Sequence, residues 1–274
     1  MGKNARSIAV IGCGWLGIPF CRKMIERGWT VYGTTTNKAK FPVLKNFGIR
    51  PFLLNLPSKT ELNSNLFKVD YLLINLPPGR RNPDILENYP LAISQILNSA
   101  KKMLTIKKII FISSTSIYGI SKDLIDEKTN PRPESDSGRA ILAAENLIVK
   151  CDLPNVILRF GGLAGPQRHP GRFLAGRSGL TSGKQSINFL HLEDAIGVIN
   201  NMIDNNIANE VFNVVAPGHP TKKEFYTKMA SAIELTPPSF IDTPNQSRRE
   251  ISVNKLLNET EYSFEYPDPM NFIY

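Results

Sequence analysis

The stretch SIAVIGCGWLG at residues 7–17 constrains the fold more than any other part of the sequence. Its apolar beginning is typical of a buried strand in a parallel sheet, and residues 18–27 have the pattern of a helix. Between them, Gly12, Gly14 and Gly17 have the spacing G-x-G-x-x-G. In such a unit the first glycine permits the turn, the second leaves room for a pyrophosphate and the third lets the helix pack closely.

This strand–turn–helix unit predicts a dinucleotide site, because backbone N–H groups and the positive dipole end of the helix would face the phosphates. The glycine spacing alone also suits a purely structural turn. A second predicted strand at residues 30–34 completes the context that a nucleotide-binding unit requires. The turn residues predicted to line the cofactor are Gly12, Gly14, Trp15, Leu16 and Gly17.

The end of the second strand bears on which cofactor is bound. A site for NAD usually has Asp or Glu here to hold the ribose 2′-hydroxyl. This chain has no acidic residue between the strand and Glu61. Hydroxyl groups and a cation suit a 2′-phosphate better, so we predict NADP, with NAD as the alternative. The residues predicted to contact this end of the cofactor are Thr34, Thr35, Thr36 and Lys38.

Two further apolar runs, at residues 49–54 and 69–76, predict strands whose carboxyl ends lie at the same edge of the sheet. Ligands of open α/β sheets bind at that edge. We therefore predict that Asn55 contacts adenine. We also predict that the end of the fourth strand and the bend after it line the cofactor, namely Leu76, Pro77 and Pro78. Arg80 and Arg81 follow, either as an anion-binding pair or as a solvated loop.

Composition and charge limit the partners. With 42% hydrophobic and 21% charged residues, the 274-residue chain is typical of a globular protein. The formal net charge of +9 suggests an acidic or phosphorylated small-molecule ligand, although a solvated basic surface is the simpler explanation. No block of about five or six like charges occurs, so we predict no nucleic-acid partner.

The cysteines bear on metal binding and location. Cys13, Cys21 and Cys151 form no C-x-x-C pair or Cys/His cluster, which predicts no metal site and no disulfide. Reduced thiols are typical of the cytoplasm. The apolar run before Cys13 is shorter than a signal-peptide core of about 7–15 residues, and no run reaches membrane-spanning length. We predict a cytoplasmic monomer or homodimer with no membrane partner.

A fifth predicted strand at residues 108–113 leads into SSTSIYG at residues 113–119. With this segment, the sequence resembles the extended short-chain dehydrogenase/reductases, which include sugar-nucleotide epimerases and dehydratases. The resemblance spans nearly the whole chain. It implies an α/β, Rossmann-type doubly wound parallel sheet and an NAD(P) cofactor. It also implies that Ser114 hydrogen-bonds the reacting carbonyl or hydroxyl. Ser113 is a further predicted cofactor contact, and Arg159 either faces the cofactor or pins a loop.

The next predicted helix, residues 136–150, departs from the family. Its members carry Tyr and Lys there as Y-x-x-x-K, with Tyr as the general acid/base. The LAAENL portion aligns Ser137 with that Tyr and Ile141 with that Lys, so the pair is absent and the chain resembles an atypical branch. Tyr118 and Lys122 match the spacing literally, but Gly119 disfavours a shared helical face. Tyr118 either replaces the lost proton donor or lines the cleft beside Ser114.

For the domains, we predict an NAD(P)-binding Rossmann domain at residues 1–160. Residues 161–274 are predicted to form substrate-binding and lid segments that partly return to the sheet. Within them, Asp194 is expected to cap a helix at residues 195–203. Two functions fit these features: an NAD(P)-dependent oxidoreductase or epimerase-like enzyme acting on a carbonyl or sugar-nucleotide-like substrate, or a catalytically silent NADP(H)-binding protein acting as a redox-responsive sensor or regulator.

Overall fold

The computed structural model describes residues 6–79, 82–119, 124–205, 207–243 and 247–274. The predictions made for Arg80, Arg81 and Lys122 lie outside these residues. The strands in the described residues are β1 (Ser7–Ile11), β2 (Thr30–Thr35), β3 (Arg50–Leu53), β4 (Tyr71–Ile74), β5 (Lys108–Ser114), β6 (Leu124–Ile125), β7 (Asn155–Phe160), β8 (Gly162–Ala164), β9 (Phe189–His191), β10 (Glu210–Val214) and β11 (Glu250–Ile251).

A seven-stranded sheet has the order β10-β7-β5-β4-β1-β2-β3, and two small sheets pair β11 with β6 and β8 with β9. The β1–β2, β1–β4, β2–β3 and β4–β5 pairs are parallel. From β1 the chain continues to β2 on one side and later to β4 on the other, which makes the carboxyl end of β1 the topological switch point. The predicted doubly wound α/β fold is confirmed.

Helices connect these strands. The α-helices in the described residues are α1 (Gly17–Glu26), α2 (Phe41–Asn46), α3 (Ile85–Lys101), α4 (Asp136–Val149), α5 (Leu192–Asp204), α6 (Lys222–Ser231) and α7 (Asn254–Thr260). Side chains cap the N-termini of α4 and α6. At α4 the Ser135 hydroxyl accepts the Gly138 N–H at 3.1 Å. At α6, Thr221 and Glu224 form a capping box, which satisfies two backbone donors reciprocally.

The chain divides into two compact units. Unit 1 comprises Met1–Ile117, Pro133–Leu158 and Met202–Val211, and unit 2 comprises Tyr118–Arg132, Arg159–Asn201 and Phe212–Tyr274. Residues 8–11 of β1 are fully buried in unit 1, whereas unit 2 has an aromatic cluster around Phe189, Phe225 and Phe272. The functional division predicted at residues 160 and 161 stays a prediction.

Asp194 does not cap a helix, and this prediction was wrong. Helix α5 begins at Leu192, so Asp194 lies within its first turn. The fully buried carboxylate instead accepts the Glu265 N–H at 2.8 Å, the Tyr266 N–H at 2.9 Å and the Tyr262 hydroxyl at 3.0 Å. Burial raises the pKa of this carboxyl despite the three donors. Asp194 therefore anchors residues 262–266 within unit 2.

In the part of the chain that the structure describes, no helix is long and apolar enough to cross a lipid bilayer. The same residues contain no group of three or more His, Cys, Asp or Glu side chains that could hold a metal ion. All three cysteines are free and buried.

Candidate functional site

The turn after β1 requires two of its glycines for the fold itself. Gly12 has a φ of +108°, a conformation that side chains disfavour. A Cβ atom at Gly12 would lie 2.3 Å from the Asn75 carbonyl oxygen, and one at Gly17 would lie 2.3 Å from the Gly12 carbonyl oxygen. Both glycines are therefore needed for the backbone segments to approach each other this closely.

Gly14 differs, because apart from its two chain neighbours no atom of the described residues lies within 4 Å of where its Cβ would be. The space beside this backbone is open, as a cofactor pyrophosphate requires. Helix α1 starts three residues later with no side-chain cap, and no carboxylate of its own first turn offsets its positive dipole end. Leu16 is buried at the N-cap position and Trp15 is half-buried. The turn thus fits a dinucleotide.

Side chains from both neighbouring strands hold the turn. The Gly12 N–H donates to the Thr34 hydroxyl at 2.9 Å, and the Asn75 side-chain amide donates to the Gly12 carbonyl at 3.1 Å. Thr34 is only 3% exposed, so the structure gives it a role inside the protein. Asn75 was missed by the sequence analysis; the signal was a single amide at the end of the apolar run YLLI.

The exit of β2 exposes the other residues predicted to select the cofactor. Thr35 is half-buried, while Thr36 and Lys38 are exposed. Asn37, between them, caps a short 3₁₀ helix by accepting the Ala39 N–H at 2.9 Å. Contact of Thr35, Thr36 and Lys38 with a cofactor stays a prediction.

The predicted adenine contact and the predicted cofactor-lining segment lie after β3 and β4. Asn55 is exposed two residues beyond β3. Leu76 is half-buried, and its carbonyl accepts the hydroxyl of the buried Tyr89 at 3.0 Å. Burial raises the pKa of this phenol. Tyr89 of α3 therefore fixes the backbone just before Pro77 and Pro78. Contact of Asn55, Leu76, Pro77 and Pro78 with a cofactor stays a prediction.

The carboxyl end of β5 places two adjacent serines differently. The Ser113 hydroxyl donates to Glu145 of α4, and both residues are at least 95% buried. Ser114 is half-buried, and its hydroxyl oxygen accepts the Ser116 N–H at 3.2 Å. This acceptor bond leaves the Ser114 proton available to donate. Ser114 is therefore suited to bind a substrate oxygen, as the resemblance implied.

Helix α4 lies along this segment. Besides the Ser113–Glu145 bond, a Cβ atom at Gly138 would lie 3.2 Å from the Ser116 carbonyl oxygen. These two contacts fix which residues of α4 lie near β5. The Ser137 hydroxyl is 3.1 Å from that of Ser135, and Ile141 is 6% exposed.

Tyr118 lies in unit 2, and its side chain is fully buried. Its hydroxyl donates to Asn213 Oδ1 at 2.8 Å and accepts from Arg159 Nη1 at 2.7 Å. Burial raises the pKa of this phenol, although the Arg159 guanidinium partly offsets the effect. A buried phenol with a raised pKa is a poor proton donor near neutral pH. The geometry disfavours the catalytic role predicted for Tyr118.

Asn213 connects this pair to a carboxyl group that the sequence analysis did not single out. Its backbone N–H donates to Glu127 Oε1 at 2.8 Å. Burial raises the pKa of Glu127. The buried residues Arg159, Tyr118 and Asn213 thus form a polar chain within unit 2 that ends at the half-buried Glu127. Contact of Arg159 with a cofactor stays a prediction.

Comparison with known proteins agrees with this geometry. Residues 8–215 match the model of the NAD dependent epimerase/dehydratase family. The chain belongs to this family. Protein YeeZ of Escherichia coli K12 is 34% identical over 271 residues, with 97% of this chain and 98% of YeeZ covered.

Solved structures share the fold of this epimerase/dehydratase family member at low identity. A UDP-glucuronic acid 4-epimerase from Bacillus cereus, in complex with NAD, has a TM-score of 0.79 at 19% identity, with 97% of each chain covered. A functionally unknown protein from Silicibacter pomeroyi has a TM-score of 0.77 at 22% identity, with 97% of this chain and 96% of its own covered.

Helix α4 lacks the two residue types that the resemblance implies for proton transfer. The helix sequence DSGRAILAAENLIV contains neither tyrosine nor lysine. No phenol or ammonium group of α4 can therefore move a proton. The alignment of Ser137 and Ile141 with the Tyr and Lys positions of the family stays a prediction.

Proposed function

We propose that this protein binds a nicotinamide dinucleotide at the turn between β1 and α1 and acts on a carbonyl or sugar-nucleotide-like substrate as an oxidoreductase or epimerase-like enzyme. The observation that carries the proposal is the open space beside Gly14, in a turn whose other two glycines are required by packing. Family membership supports it, as do the complexes of MoeE5 with UDP-glucose and NAD and of the Bacillus epimerase with NAD.

A bound nicotinamide would supply hydride exchange with the substrate carbon. Ser114 would donate a hydrogen bond to the reacting oxygen, and water would exchange the proton in place of the missing tyrosine. Loss of a general acid/base costs about 10²–10⁴-fold in rate. We therefore infer a slow enzyme rather than an inert one. The net charge of +9 suits an acidic or phosphorylated substrate.

The test is a fluorescence titration with NADPH of the wild type and Gly14→Val. We expect saturable binding by the wild type and at least a tenfold weaker affinity for the variant, because the new side chain would occupy the space of the pyrophosphate. The thermal midpoint should hardly change, since among the described residues only the chain neighbours of Gly14 lie within 4 Å of where the Cβ would be. Equal affinity in both proteins would contradict the proposed site.

A second candidate is a catalytically silent NADP(H)-binding regulator. The absence of tyrosine and lysine from α4 and the burial of Tyr118 favour it. A panel of carbonyl compounds and sugar nucleotides separates the two. Turnover of any of these compounds supports the enzyme, whereas binding of NADPH with no turnover across the panel supports the regulator. A cytoplasmic location and a monomeric or homodimeric state are part of the proposal for both candidates.

A further inference from the structure

We propose that Asn75 is a positioning residue that sets the dinucleotide affinity through its hydrogen bond to Gly12. Thr34, in β2 on the other side of β1, fixes the same residue through a second hydrogen bond. The inference rests on the proposed cofactor site. It concerns residues that never need to touch the cofactor.

The three strands at the switch point supply this arrangement. Strand β1 lies between β2 and β4, and Gly12 is the first residue after β1. Thr34, near the end of β2, accepts the Gly12 N–H at 2.9 Å, and Asn75, just after β4, donates to the Gly12 carbonyl at 3.1 Å. Both hydrogen-bonding groups of Gly12 thus have a side-chain partner, and the carbonyl also accepts the Gly14 N–H at 3.0 Å.

Asn75 is itself fixed by its backbone, because its N–H donates to the Ile11 carbonyl at 2.9 Å. Its side-chain nitrogen also lies 3.4 Å from where a Cβ atom of Gly17 would be. The Asn75 amide therefore bonds Gly12 and also lies beside the space that a side chain at Gly17, the first residue of α1, would need.

Glycine needs such support more than other residues. Its backbone adopts many conformations, so an unsupported Gly12 would have to be ordered when the cofactor binds. Hydrogen bonds that fix the turn beforehand remove that cost from the binding step. Affinity should therefore depend on the Asn75 donor and not only on the volume of the side chain.

The Asn75 donor is tested with Asn75→Leu and Asn75→Asp. The measurement is isothermal titration with NADP⁺ at pH 5.5 and pH 8, each affinity being expressed relative to the wild type at the same pH. Leucine removes the donor at similar size, so we expect at least tenfold weaker binding at both pH values. A carboxylate has no proton to donate. At pH 8, Asn75→Asp should therefore bind NADP⁺ as weakly as Asn75→Leu or more weakly.

At pH 5.5, protonation of the new carboxyl in Asn75→Asp restores a donor facing the Gly12 carbonyl. Relief of negative charge alone would raise the affinity only to that of Asn75→Leu. Recovery clearly above the leucine variant therefore requires the hydrogen bond. An aspartate variant that stays at or below the leucine level at pH 5.5 would overturn the inference, as would a leucine variant that binds within twofold of the wild type.

Thr34 provides an independent arm should the Asn75 variants fail to fold. Thr34→Val removes the acceptor of the Gly12 N–H at the same size, and Thr34→Ser keeps it. We expect weaker NADP⁺ binding for valine and near wild-type binding for serine, and equal binding by the two would overturn the inference. A wild type that binds neither NADP⁺ nor NAD⁺ would instead refute the proposed function on which the inference rests.

Discussion

At the scale of single residues, Ser114 is the group best suited to act on a substrate. The Ser113 hydroxyl donates a hydrogen bond to Glu145, whereas the Ser114 oxygen accepts a backbone N–H, which leaves the Ser114 hydroxyl able to donate. Two adjacent side chains of the same type thus have different roles, because their hydrogen-bond partners differ. Sequence alone identified both serines but not which partner each one has.

We expect Ser114→Ala to lower any reductase activity at least tenfold, which corresponds to about 1.4 kcal/mol of transition-state stabilisation. Ser137→Ala is the matched control and should leave the activity nearly intact, because a short serine hydroxyl that barely ionises cannot replace a phenol. Steady-state oxidation of NADPH measures both. Equal losses in the two variants would show that the register assigned to α4 is wrong.

Tyr118 shows how a motif can be read too literally. It matches the Y-x-x-x-K spacing together with Lys122, yet the side chain is buried against Arg159 and Asn213. Spacing along the chain reports a shared helical face only where a helix exists. Here Tyr118 ends a single 3₁₀ turn, Thr115–Tyr118.

At the scale of elements, the exit of β2 carries the prediction of cofactor preference. Thr36 and Lys38 are exposed there, and the segment lacks the acid that would hold a ribose diol. We expect tighter binding of NADP⁺ than of NAD⁺ in isothermal titrations. Lys38→Glu should reverse or abolish the preference by repelling a 2′-phosphate. Tighter binding of NAD⁺ by the wild type would contradict this assignment.

The local elements could be predicted because their signals are local. The strand, turn and helix at residues 7–26 follow from apolar periodicity and glycine spacing, and the capping box of α6 follows from Thr221 and Glu224. The bonds of Thr34 and Asn75 to Gly12 span 22 and 63 positions. They could not be predicted, because they depend on which strands lie beside β1.

At the scale of the whole chain, Asp194 illustrates the same limit. A carboxylate near a helix start is typical of a cap, but its donors are about 70 residues away, at Glu265 and Tyr266. No local pattern links these positions. Such long-range contacts determine how the C-terminal residues are held within unit 2.

We expect Asp194→Ala to lower the free energy of unfolding substantially, since each buried donor left unsatisfied costs about 1–3 kcal/mol. Glu193→Ala is the matched control: this exposed neighbour also lies in the first turn of α5, and its loss removes only a favourable dipole interaction of about 0.3–1 kcal/mol. Urea denaturation monitored by circular dichroism measures the free energy of unfolding of both variants. Equal destabilisation would contradict the anchoring role.

The three glycines of the turn also differ in what mutation and selection would do to them. Selection for a folded protein alone would eliminate random substitutions at positions 12 and 17, since backbone atoms lie 2.3 Å from any added Cβ. Position 14 has no such constraint, and an alanine there would leave the fold unharmed. A lineage that had stopped using the site would drift first at Gly14, which makes this residue an indicator of whether a ligand still matters.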